Sequence, residues 1–135
     1  CDINSQYTTQ AVCEPLSPCP WRLACVSSRD DAAFYHRIEP IPVAGDPVAA
    51  FKRLKNLLEH TERTVIVTAT RDYVHAVCRS RRGYIDDLEC RLCATDKVIH
   101  VRSAAQSWHA IYDFGVNRTR VEALRRELRE TSPDA

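Results

Sequence analysis

A chain of 135 residues, 44% of them hydrophobic, has the size and apolar content of one ordinary domain that buries a single core without metal or disulfide support. Its 19 Lys and Arg against 18 Asp and Glu leave a formal charge of +1, which excludes the broad basic footprint of a nucleic-acid binder. No run approaches the roughly 20 apolar residues needed to cross a bilayer, so no spanning helix is expected.

Seven cysteines in so short a chain point to an oxidising compartment, because cytosolic chains rarely carry that many without a metal. Cys1 followed by Asp2 reads as the lipidated first residue of a mature bacterial lipoprotein, retained at the inner membrane; the plain alternative is an arbitrary boundary. Setting Cys1 aside leaves an even six. On that reading a diacylglycerol with an amide-linked chain anchors the protein stably, and the expected location is the periplasmic side of the inner membrane.

In chain order, residues 1–43 show no sustained period. Pro15, Pro18, Pro20, Pro40 and Pro42 break any helix or central strand, so the segment is expected to be an extended arm. It also holds Cys13, Cys19, Cys25, Trp21, Phe34 and Tyr35, which predicts that from about Pro15 it lies against the body of the domain. Residues 44–130 form the expected folded domain. Asp46-Pro47 is a helix start, and Val48, Phe51, Leu54, Leu57 and Leu58 carry an apolar stripe through about Glu59. Four period-two segments follow, Thr64 to Thr70, Tyr73 to Ser80, Asp87 to Ala94 and Val98 to Ser103. Their inward sets are expected to be Val65, Val67 and Ala69; Val74, Ala76 and Cys78; Leu88, Cys90 and Leu92; and Ile99 and Val101. A second helix from about Val116 to Arg129 repeats Val121, Leu124 and Leu128 and gathers arginines at its C-terminal end. The predicted fold is α+β: helix, four antiparallel strands, helix, with both helices on one sheet face and residues 131–135 a disordered tail.

The opposite sheet face then displays Tyr73, His75, Arg79, Glu89, Arg91, Cys93, His100 and Arg102. One reading is a site for an anionic ligand, since arginine forks bind carboxylate and phosphate and histidine adds a switchable charge. The other is a solvated face laced by cross-strand ion pairs. Asp86-Asp87 reads either as a carboxylate pair for acid–base work or as the end of a hairpin connection. Asp113, Gly115 and Asn117 read as a bend into the last helix, from which Arg118 and Arg120 reach the carboxylates.

Cys90-Arg91-Leu92-Cys93 lacks the histidine of a haem site, the helix N-terminus of a redox pair and the extra ligands of a zinc site. No metal or cofactor is implied. Cys78 and Cys90 lie on one predicted face of successive strands, as a disulfide or as buried small hydrophobes. No nucleophile elbow or phosphate-cradling glycine loop is present, and the chain has only 3 Gly.

The ordered set Tyr73-Val74-His75, Asp86, Asp87 and Glu89, Arg102-Ser103 and Asp113-Phe114-Gly115-Val116-Asn117-Arg118 resembles the bacterial and plastid family called domain of unknown function 1499. Upstream, Pro18-Cys19-Pro20 with Cys25-Val26-Ser27-Ser28 extends the likeness. The resemblance implies a Cys19–Cys25 pair, leaving Cys13 and Cys93 without assigned partners. The chain departs from the family's pattern at Gln106, where an arginine is usual, and adds Trp21, Leu23, Trp108, Ile111 and Tyr112 in expected loops. Trp21 and Trp108 therefore read either as partner contacts or as side chains buried in the core. The functional expectation is a non-enzymatic, lipid-anchored periplasmic accessory or binding protein docking on an inner-membrane protein complex. By resemblance alone, that complex belongs to electron transport or photosynthesis. The alternative is a small-molecule anion binder or hydrolase using His75, Arg79, Glu89, His100 and Arg102.

Overall fold

The computed structural model describes residues 13–20, 24–107 and 115–131. Cys1, Trp21, Trp108 and Asp113 lie outside them, as do residues 132–135 of the expected tail.

The chain runs through β1 (Cys25–Ser27), β2 (Ile41–Pro42), α1 (Pro47–Glu59), β3 (Thr64–Ala69), β4 (Tyr73–Arg79), β5 (Ile85–Cys93), β6 (Val98–Ala105) and α2 (Val116–Glu130). The Asp46 side chain accepts from the Val48 amide at 3.2 Å and Pro47 occupies the first turn, so α1 starts where a capping carboxylate and a pre-set proline φ direct it. α2 starts at Gly115, whose φ of 81° is a left-handed conformation that a side chain resists.

The architecture is α+β, with a correction to the expected sheet. Among the described residues it has six strands, not four, ordered β1-β6-β5-β4-β3 with β2 also on β6. The two extra strands come from the arm and share the outer edge of β6 end to end: Val26 opposes Ser103, and Ile41 opposes Ile99. At three and two residues they are too short to show a period, and a proline inside β2 is tolerated because that strand is an edge. The element order is therefore two strands, helix, four strands, helix.

Both helices contribute to one core. Phe51 and Leu54 of α1 and Val121 and Leu124 of α2 pack with Val74, Ala76, Leu88, Cys90, Ile99 and Val101 of the sheet. β3 departs from its expected facing. Ile66 packs against this core while Val65 and Val67 are exposed, because the register slips between Ile66 and Thr68. The extra residue of a bulge reverses the alternation, which puts Ala69 opposite Val74 on the helix side and Thr68 opposite His75 on the other.

The second face of the sheet is partly covered by the described part of the arm. A Cys13–Cys93 disulfide joins it to the end of β5, and Leu16 is buried. Arg29 Nη1 donates to the Leu16 carbonyl at 2.6 Å, and Arg102 Nη2 reaches the Pro18 carbonyl at 3.4 Å.

Candidate functional site

Three places hold the residues singled out by the sequence. The first is the polar sheet face, where strand alternation brings Tyr73, His75, Asp87, Glu89, Arg91, His100 and Arg102 together. Most of the groups are engaged with one another or with neighbouring residues, while the buried Nε atoms of Arg91 and Arg102 have no hydrogen-bond partner among the described residues. His75 Nε2 and Asp87 Oδ1 are 2.8 Å apart, and Gln106 Nε2 donates to the same oxygen at 3.2 Å. Tyr73 donates its phenol proton to Glu89, and Arg102 Nη1 meets the other carboxylate oxygen at 3.4 Å. Burial and then the Glu89 carboxylate push the Tyr73 phenol well above its ordinary range, so it stays a proton donor. Arg91 lies over the Tyr73 ring at 4.5 Å and within 3.8 Å of Glu14 from the arm. Arg79 stands apart, exposed at the end of β4.

Beside this face a cleft of about 470 Å³ opens between the arm, the segment after β1 and the β5–β6 hairpin. His100 Nδ1 lies 3.0 Å from Ser28 Oγ at its wall, and Ser28 Oγ accepts from the Val101 amide at 2.9 Å. The buried serine thus ties β6 to the segment after β1. Glu14, Asp30 and Asp96 line the cleft with Arg29, so its charge does not suit an anion. Of the five residues expected for an anion site, only His100 borders it.

The second place is a buried network on the helix face. Asp86 and Asp87 do not end a hairpin connection: both lie inside β5, where alternation sends them to opposite faces. Asp86 accepts from Arg120 Nη2 at 2.8 Å, while Arg120 Nη1 reaches Asn117 Oδ1 at 2.8 Å and Ser103 Oγ at 3.0 Å. Ser103 donates to Asn117 Oδ1 at 2.6 Å, and Asn117 Nδ2 points to the Ala24 carbonyl at 3.5 Å. These groups fasten α2 to β5, β6 and β1. Arg118 instead donates to the carbonyls of Arg37, at 2.8 Å, and Tyr35, at 3.4 Å.

That contact belongs to the third place, the turn from Arg29 to Arg37, whose Phe34 and Tyr35 the sequence assigns to the arm without a role. Phe34 is 87% exposed and Tyr35 43%, with their rings edge to face at 5.3 Å. The turn is held from inside: Arg29 forms two 2.9 Å bonds with Asp31, and Arg37 donates to the Asp30 carbonyl. The His36 amide donates to Ala33 and the Ser27 amide to His36, both at 2.8 Å. The Arg29–Asp31 pair lowers the carboxyl's pKa and raises the guanidinium's, chiefly through their mutual hydrogen bonds. The available signal was polar: Ser27 to Asp31 has the composition of a turn, which places the aromatics after it at a tip.

The cysteines divide in a way that corrects one expectation. Cys19–Cys25 is a disulfide, as the resemblance implied, and Cys13–Cys93 is the second. Cys78 and Cys90 are free and buried. Cys78 opposes Asp86 and Cys90 opposes Val74, so the two lie four residues apart along the strands. That is roughly 13 Å, beyond the reach of a disulfide. Burial raises the pKa of both thiols, which leaves them inert small hydrophobes.

Among the described residues no group of three metal-ligating side chains converges, and no helix is long and apolar enough to cross a membrane. A model of the family described as "Protein of unknown function (DUF1499)" matches residues 15–128. No curated protein and no solved structure matches the chain.

Proposed function

The chain belongs to the DUF1499 family of proteins of unknown function, and from that premise we propose that it is a non-enzymatic accessory or binding protein, lipid-anchored through Cys1 on the periplasmic side of the inner membrane. It docks on a membrane protein complex, and the Phe34–Tyr35 turn is its contact. The observation that carries this reading is a large, nearly fully exposed aromatic on a turn braced by three arginines. Rigid aromatic anchors pay little ordering entropy on binding, which is why they dominate interfaces. The two disulfides support an oxidising location. The family-matching groups Asp86, Ser103 and Asn117 are engaged in holding α2, and Glu89 and Arg102 in holding each other. This use of the motif favours a scaffold over an anion site or a hydrolase.

Native protein extracted from membranes with mild detergent is expected to migrate with a larger complex, and Phe34→Ser to migrate as free protein with an unchanged melting temperature. Migration of the unaltered protein only as a monomer removes the reading.

A further inference from the structure

We propose that the tip of the β4–β5 hairpin, with Arg63 beside it, docks on the anionic phospholipid headgroups of a membrane surface. Arg79 ends β4, and Arg81 and Arg82 lie in the connection to β5. The Arg79 amide donates to the Arg63 carbonyl at 2.8 Å, so the turn before β3 stands at the same end of the sheet. All four arginines are exposed, and none has a hydrogen-bonded or ion-paired side chain among the described residues. Elsewhere Arg29, Arg91, Arg102, Arg120 and Arg125 each meet a carboxylate. Glu62, next to Arg63, offsets one of the four charges. Asp86 is held by Arg120 on the helix side, and Asp87 by His75 and Gln106.

The turn itself is fastened from within. The Ser80 amide donates to the Tyr84 carbonyl at 2.9 Å, the Gly83 amide to the Ser80 carbonyl at 3.0 Å and the Tyr84 amide to Ser80 Oγ at 3.0 Å. Apolar groups stand among the cations: Tyr84 is 67% exposed, and Val65, 66% exposed, opposes Val77 on the sheet face that Arg79 shares. Arginine forks grip phosphate oxygens, and a phenol with an apolar ring and a polar tip suits the headgroup level of a bilayer. The shape selects the source of the phosphates. A free anion needs a recess, and the cleft of about 470 Å³ lies by the β5–β6 hairpin, at the opposite end of the strands. A hairpin tip is convex, and a fluid bilayer supplies phosphates that move laterally to meet it. Exposed apolar groups among cations add burial to electrostatic attraction at such a surface. This surface is separate from the Phe34–Tyr35 turn and does not depend on lipid at Cys1.

Vesicle co-sedimentation of the full chain, unacylated at Cys1, tests this at low salt. Vesicles of phosphatidylcholine with roughly one-third phosphatidylglycerol should bind it at roughly millimolar accessible lipid, and pure phosphatidylcholine should not. R81Q/R82Q should lower the partition about thirtyfold, since each cation near such a surface is worth about fivefold. E62Q should raise it, Y84S should weaken it a few-fold, and F34S should bind as the unaltered chain does. All of these sites are exposed, so the melting temperatures should stay together. Equal binding to both vesicles overturns the proposal, as does an R81Q/R82Q variant that binds like the unaltered chain. So does displacement by inorganic phosphate at constant ionic strength, which would mark a small-anion site, or a tighter hold on duplex DNA or polyglutamate than on the vesicles.

Discussion

Asp86 and Asp87 are neighbours in the chain with opposite surroundings. Asp86 points beneath α2 into a network with Arg120, Ser103 and Asn117. Asp87 points to the other side of the sheet, half-exposed beside His75 and Gln106. A charge taken out of water must be matched by close partners, and its loss strands them; a charge left near water can exchange its partner for solvent. The same residue type, one position along, is an anchor of the fold on one face and a minor contact on the other.

The comparison has measurable consequences. The largest concerns how the arm is held on the polar face. Reducing Cys13–Cys93, or replacing both residues by serine, reopens a loop spanning a sequence separation of 80. The chain-entropy model assigns such a closure about 4.5 kcal/mol, so the urea midpoint should fall sharply while the helix signal survives at low denaturant. An unchanged midpoint would show that the arm contributes nothing to the cooperative unit. Next, Asp86→Ala should cost about 3 kcal/mol, since it leaves the Arg120 guanidinium without its carboxylate. A loss under about 1 kcal/mol would place that network in water instead of in the core.

The third test uses the free thiols of the helix face. Burial raises the pKa of Cys78 and Cys90 above that of an open thiol. Between the unfolded pKa, about 8.5, and the higher folded one, the unfolded chain has released protons that the folded chain keeps. The unfolded state binds fewer protons there, so stability must fall as pH rises. Chemical denaturation at pH 7 and pH 10 should show this fall, and Cys90→Ala should flatten it relative to the unaltered chain. The smallest effect belongs to Asp87→Ala, expected below about 1 kcal/mol because its partner ring is accessible to water. If Asp87→Ala matched Asp86→Ala, the contrast between the faces would fail.

Much of this was legible in the residues. Asp46-Pro47 and the Phe51, Leu54, Leu58 stripe mark α1, and the alternation in β4, β5 and β6 assigns their faces, because each has a clear apolar row. β3 misled because Thr64-Val65-Ile66-Val67 is β-branched on both sides, and the bulge that decides its facing has no sequence mark. β1 and β2 were hidden by brevity. Cys78 with Cys90 looked like a bridge because a shared face was visible and the register along the strands was not. On the candidate site, the polar row was readable, whereas the pairing of His75 with Asp87 and of Tyr73 and Arg102 with Glu89 depends on side-chain distances that no spacing reveals. The braced aromatic turn depends on Arg118, more than 80 residues away in the chain, reaching back to Tyr35 and Arg37.

The attachment of β1 and β2 along β6 bears on when the molecule can form. Cys25 finds its strand neighbour at Ala104, and Ile41 at Ile99. Closing contacts so distant costs loop entropy before any burial repays it, so folding is slow relative to helical domains of this size. During synthesis β1 and β2 are made well before β6 and have no strand neighbour on it until about sixty or more further residues have followed. Closure of the sheet at this edge is therefore a late step, taken only once β6 is available to receive both short strands.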